Sequence, residues 1–139
     1  MSEENKATMR RFVEEWFNQG NLDLFDQLVA PDFVNYSAPP GVPPTREGWK
    51  QLATMFKAAF PDMQLHIEDE IAEGDQITIR FTAHGTHRGE LMGIPATGKE
   101  INIGGISMAR IAGGKIMERW EEFDMMGMMQ QLGVVPTPG

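Results

Sequence analysis

The stretch Lys115-Ile116-Met117-Glu118-Arg119-Trp120-Glu121-Glu122-Phe123-Asp124-Met125-Met126-Gly127-Met128-Met129-Gln130-Gln131-Leu132-Gly133 decides the fold. It reads as a strand that ends at an aspartate and runs directly into a short Met-rich helix. Side chains alternate along a strand, so strict alternation places Ile116, Glu118, Trp120, Glu122 and Asp124 on one face and Met117, Arg119, Glu121 and Phe123 on the other. Neither set is plainly core or plainly solvent. Ionisable side chains interleaved with a tryptophan on the last strand of a small domain point to a lined cavity rather than a sealed interior.

Working outward, the residues before this strand alternate in the same way. Ile101 to Ile111 and Ile116 to Asp124 form a hairpin about Gly113-Gly114. An earlier hairpin turns at Gly74-Asp75. In its first arm Met63, Leu65, Ile67 and Ile71 alternate with Gln64, His66, Glu68 and Glu70, and Asp69 is an exception on the apolar face. In its second arm Ile77, Ile79, Phe81 and Ala83 alternate with Thr78, Arg80, Thr82 and His84. A loop from Arg88 to Lys99, rich in Gly and Pro, joins the hairpins.

The N-terminal half has the helical period instead. Met9, Phe12, Val13, Trp16 and Phe17 make one apolar stripe, stopped at Gly20. Leu24, Phe25, Leu28 and Val29 make a second, short one that ends at Pro31. Phe33-Val34-Asn35-Tyr36 is a strand candidate. Thr45 caps a third helix with the stripe Trp49, Leu52, Ala53, Phe56, Ala59 and Phe60. Three helices before an antiparallel meander make a single α+β domain over residues 1–139, its helices covering one face of the sheet.

Composition narrows the function classes. The 139-residue chain carries a net charge of −8 with 12 scattered Lys and Arg, which argues against a nucleic-acid partner. It has no cysteine, so thiolate chemistry is excluded. The first residues lack the apolar core of a signal peptide, and no apolar run reaches the length of a membrane span, so a cytoplasmic protein without membrane contact is expected. Three histidines without HxH or HxxxH spacing offer no metal site. Nucleotide and phosphate fingerprints are absent, and no cofactor is expected.

Two residues carry candidate chemistry. Asp124 ends the last strand beside apolar residues, where a carboxyl group has its charged form disfavoured and suits general-base work. The same position equally fits the N-cap of the following helix, and the two roles are compatible. His87 continues the apolar face of its strand, as either a donor in a site or a hydrogen-bonded structural residue. The cluster Met125, Met126, Met128 and Met129 reads as packing, or as a pliable wall over an apolar ligand. Apolar residues on both faces of Ile101–Ile111 predict an exposed outer patch and a homodimer through the sheet.

The combination of Gly85-Thr86-His87-Arg88-Gly89, Gly93-Ile94-Pro95-Ala96-Thr97-Gly98-Lys99, Gly114-Lys115-Ile116, Trp120 to Asp124 and Gln130-Gln131-Leu132-Gly133 resembles the SnoaL-like polyketide cyclase, or ester cyclase, family. Asn18-Gln19-Gly20-Asn21-Leu22-Asp23 and Ala30-Pro31-Asp32-Phe33 resemble its N-terminal pattern. The resemblance spans nearly the whole chain and departs at Tyr36, where the family often has histidine. It implies the nuclear-transport-factor-2-like fold, a curved sheet wrapped by helices into a cone with an apolar pocket. It also implies a cofactor-free intramolecular aldol cyclisation with Asp124 as the general base. On this reading His87 or Tyr36 stabilises the enolate. Trp120, Phe33, Asn35, Tyr36, Trp16 and Met128 surround an apolar or aromatic small molecule. The rivals are a non-catalytic binding or assembly module, and an isomerase or hydrolase on the same cone.

Overall fold

A computed structural model describes residues 2–134. Helix α1 (Ser2–Arg11) widens into π-helical turns over Phe12–Asn18, where the Gln19 amide donates to the Glu14 carbonyl at 3.1 Å. The wider turn brings Phe12, Val13, Trp16 and Phe17 onto one buried surface, and such turns are frequent at functional sites. Asn18 fixes this segment over the sheet: its amide group donates to the Leu65 carbonyl and accepts from the Leu65 N–H, both at 2.8 Å.

Helix α2 (Leu24–Leu28) leads directly into strand β1 (Val29–Asn35). The strand therefore begins earlier than Phe33, and Val29 belongs to it rather than to the helix. Pairing of Val29 with Ile116 across the sheet supplies what local periodicity could not. Pro31, which has no N–H to donate, is accommodated because β1 is an edge strand. Helix α3 (Arg46–Ala59) starts at Thr45 as expected, the Thr45 hydroxyl accepting from the Gly48 N–H at 3.2 Å.

Strands β2 (Gln64–Glu73), β3 (Gln76–Thr86), β4 (Glu100–Ala112) and β5 (Lys115–Phe123) form the antiparallel meander, and helix α4 (Met125–Leu132) closes the described chain. The sheet order is β1-β5-β4-β3-β2, with β1 parallel to β5, so the sheet is mixed rather than wholly antiparallel. Gly113 and Gly114 take φ of 59° and 75°, the left-handed values a tight hairpin turn demands of both central residues.

Two irregularities in pairing matter for function. In β2 the register shifts between Ile67 and Asp69. The extra residue reverses the alternation beyond it, which accounts for Asp69 and turns Ile71 outward at 69% exposure. In β5, Ile111 pairs with Ile116 but Arg110 pairs with Glu118, leaving Met117 as a bulge. Ile116 faces the core, fully buried, and after the bulge it is Arg119, not Trp120, that faces inward. On β4 the odd-numbered residues from Ile101 to Ile111 point in. Gly105 among them makes room for the Phe81 ring, which would lie 2.5 Å from an added Cβ.

Among the described residues, no helix is long and apolar enough to cross a membrane.

Candidate active site

The inner face of the sheet, α1 with its π-helical continuation, and α3 enclose a cavity of about 140 Å³. Its walls are apolar: Phe12, Trp16 and Phe17 come from the first helix, Trp49 and Phe56 from α3, and Ile79, Phe81 and Ile103 from the sheet. The aromatic wall is continuous. Phe12 stacks on Trp16 and on Trp49 with centroids 4.6 Å apart in each case, and Phe33 stacks on Trp49 at 4.8 Å. Leu52, Ala53, Phe56, Glu121 and Phe123 line the cavity yet keep partial exposure. Leu65 of β2 does so too, and the partly open mouth is bordered by α3, the C-terminal end of β5 and β2.

One wall is polar. Arg119, Glu121 and Ser107 line the cavity from neighbouring positions on β5 and β4. Arg119 is 6% exposed, its guanidinium lies 4.6 Å above the Trp49 ring, and its Nη2 sits 2.6 Å from Glu121 Oε1. An arginine is held this deep only when stacked and paired. Sequence reasoning missed this pair, because strict alternation from Ile116 assigns the wrong face and the bulge at Met117 becomes visible only through cross-strand pairing.

The sequence candidates divide. Trp16 and Met128 line the cavity, and Phe33 stacks on Trp49 outside the lining. Trp120 and Tyr36 do not line it. They stack on each other on the outer face with centroids 5.0 Å apart, Tyr36 being 55% exposed and its hydroxyl donating to Glu118 Oε2 at 2.7 Å. That bond holds the phenol above its ordinary range, and Arg110, together with the phenol, holds the Glu118 carboxyl below its own. Asn35 is buried beside Arg119 in the sheet but outside the cavity lining. Its Oδ1 accepts from the Ser37 N–H at 3.0 Å, and its Nδ2 has no partner among the described residues.

His87 is fully buried but also outside the cavity, its ring against Phe60 at 5.3 Å. The Thr97 N–H donates to its Nδ1 at 3.2 Å, the Thr97 hydroxyl lies 3.0 Å from the same nitrogen, and its Nε2 has no partner among the described residues. Its neighbourhood is structural: its own N–H bonds the Lys99 carbonyl at 2.9 Å, and the Arg88 amide bonds the Ala59 carbonyl at 2.9 Å. Next to it, Asp62 accepts from the Thr86 N–H and hydroxyl at 2.7 and 2.8 Å, bonds that keep its carboxyl below the ordinary range. His87 thus anchors the loop through Thr97 and Lys99 and is not among the residues that line the cavity.

Asp124 is exposed, so the expectation of a carboxylate sealed against apolar walls does not hold. It caps α4, Oδ1 accepting from the Gly127 N–H at 2.8 Å. Gly127 is what lets the carboxylate lie so close, since an added Cβ there would stand 2.1 Å from Oδ2. Asp124 nevertheless follows Phe123 at the mouth and precedes Met128 of the lining. Its Oδ2 has no hydrogen-bond partner among the described residues. No group of three or more His, Asp and Glu side chains is placed to hold a metal ion among the described residues.

Comparison with known proteins agrees with this architecture. The family model for SnoaL-like polyketide cyclases matches residues 7–132. The chain is 33% identical over 135 residues to aklanonic acid methyl ester cyclase DnrD of Streptomyces peucetius, covering 94% of this chain and 92% of that one. It is 29% identical over 119 residues to nogalonic acid methyl ester cyclase of Streptomyces nogalater, covering 84% and 89%. The crystal structure of wild-type IdmH from Streptomyces antibioticus superposes with a TM-score of 0.83 at 36% identity, covering 94% and 99%. A helix-wrapped mixed sheet, an apolar cavity between them, and a sequence match across nearly its full length make this chain a member of the SnoaL-like polyketide cyclase family.

Proposed function

We propose that this protein catalyses a cofactor-independent intramolecular aldol cyclisation of an apolar, polyketide-type ester. The observation that carries the reading is an aromatic-lined cavity with Asp124, one carboxylate oxygen free, standing in the chain between two of its lining residues, Phe123 and Met128. Asp124 Oδ2 removes the proton from a carbon alpha to a carbonyl, leaving an enolate. The enolate carbon attacks a second carbonyl carbon of the same molecule, a carbon–carbon bond forms, and the resulting alkoxide takes the proton back from Asp124. Substrate and product are isomers, so no co-reactant is consumed.

Exposure of Asp124 is compatible with this role, because catalytic hydrogen bonds commonly tighten only once substrate is bound. A polycyclic body seated against Phe56, Phe123 and Met128 would cover the carboxylate and exclude water from it. The names of the relatives support testing methyl esters of polyketide acids, with aklanonic and nogalonic acid methyl esters first. Asp124→Asn keeps the cap, since Asn caps as well as Asp, but removes the base. Turnover should fall at least about a hundredfold with the melting temperature unchanged, the usual value of general-base catalysis being about 10²–10⁴. Full activity in Asp124→Asn would leave the aspartate as a cap only, and tight binding without turnover would favour a binding module.

The outer face supports a second part of the proposal, pairing of two copies. Register aligns Ile71, Thr78, Met108 and Trp120 in a row across the sheet, continued by Tyr36, with Ile106 alongside at 53% exposure. A row of this kind, apolar but for Thr78, is usually covered, and a two-fold dimer is the commonest cover. Sedimentation showing a monomer at micromolar concentration refutes it.

A further inference from the structure

The proposed cyclisation leaves open which group receives the negative charge when the proton departs. Arg119 and Glu121 are the only titratable side chains lining the cavity among the described residues. Arg119 has five N–H donors in a fixed fork, and among the described residues its side chain has one polar partner, Glu121 at 2.6 Å. No hydrogen bond engages its other donors among the described residues, although the side chain is almost wholly buried and borders the cavity. Trp49 beneath it and Glu121 beside it restrain the guanidinium in one orientation. Elsewhere the walls are almost entirely apolar and compete for no proton.

An arginine so held is a preorganised cation facing a low-dielectric space, the arrangement that stabilises charge developing in a transition state. Glu121 lowers the cost of keeping the cation out of water and aims it without covering its remaining donors. Resting on the cyclase reading, we propose that Arg119 is the substrate-binding residue that takes the carbonyl oxygen of the reacting ketone or ester, and that Glu121 and Trp49 position it. The proton leaves carbon for the base, the electron pair of the broken C–H bond becomes the enolate, and the charge rests on the oxygen held by Arg119. The ligand class is then an apolar aromatic compound bearing an enolisable carbonyl, or a phenol that mimics the enolate.

The test uses 7-hydroxycoumarin, an aromatic phenol whose fluorescence reports its own ionisation, with the intact protein. If Arg119 faces the oxygen, binding is saturable and the bound phenol ionises at lower pH than in water. Arg119→Met reverses the shift, since only Glu121 remains, and weakens phenolate binding relative to the neutral phenol by about tenfold or more. Arg119→Lys retains the direction of the shift with reduced size, and Glu121→Gln leaves the bound phenol ionising below its value in water. Absence of saturable binding to the wild-type protein, or ionisation raised in it, overturns the proposal without reliance on any variant. Asp124→Asn should leave the phenol shift intact, which separates this assignment from that of the base. Once a substrate is in hand, Arg119→Met should lower kcat by roughly 10²–10³-fold, a loss that a merely structural role would not show in a protein still folded and still binding the coumarin.

Discussion

The two faces of β5 carry similar side chains and have opposite fates. Outward, Glu118 meets Arg110 and Tyr36, and Trp120 lies beneath the Tyr36 ring in partial contact with water. Inward, Arg119 meets Glu121 over Trp49 inside an apolar cavity. Each face holds an arginine–glutamate pair and a stacked aromatic. On the outer face water screens the charges and the pair contributes little. On the inner face the same chemistry sits in low dielectric, where each donor left free is costly unless a ligand takes it. The same residue types therefore make a surface network on one side and a candidate binding group on the other.

That contrast can be broken by truncating one face at a time. The largest effect on stability should come from Ile116→Ala, because Ile116 is fully buried ahead of the bulge. A loss of about 2–5 kcal/mol is expected in denaturant titration. The same truncation at outward Ile106, 53% exposed, should cost no more than about 1 kcal/mol at concentrations too low for pairing. Equal losses would mean that the assignment of faces is wrong.

A smaller difference should separate two neighbouring glutamates. Glu121→Gln removes the counter-charge of buried Arg119 and should destabilise by about 1–3 kcal/mol. Glu122→Gln, on the exposed face, should stay within about 0.5 kcal/mol. A double-mutant cycle with Arg119→Met should recover coupling for Glu121 and none for Glu122.

The smallest effect lies in the outer pair. Tyr36 is the chain's one tyrosine, so its phenolate absorbance titrates without overlap. The bond to Glu118 holds its proton above the ordinary range. A raised folded-state value contributes stability that is fully present below the unfolded tyrosine value of about 10 and is lost as pH rises through the folded value. Glu118→Gln should return the phenol toward the ordinary range and remove that alkaline dependence. No change on substitution would show that the hydrogen bond is not what holds the proton.

The amino-acid sequence alone determined the elements that depend on near neighbours. Helical stripes such as Met9–Phe17 and Trp49–Phe60, the Thr45 cap, the glycine turns at Gly74 and Gly113-Gly114, and the period-two runs of β3 and β4 are local patterns, and they stand where periodicity placed them. The family was likewise legible, because its motifs are spread along the chain. Tertiary structure decided what each strand shows to the cavity. A bulge is defined by two residues opposing one on a partner strand, so Met117 and the irregularity after Ile67 cannot be read from one strand alone. The extra residue at Met117 reverses every side chain after it, moving Trp120 outside and Arg119 inside. Parallel pairing of β1 with β5 is decided the same way, by a contact between residues distant in sequence. Asp124 shows the limit most plainly: its residue type and position fit a base and a cap equally. Its exposure and its bond to Gly127 show the cap, and its place in the chain between the lining residues Phe123 and Met128 supports the base we propose.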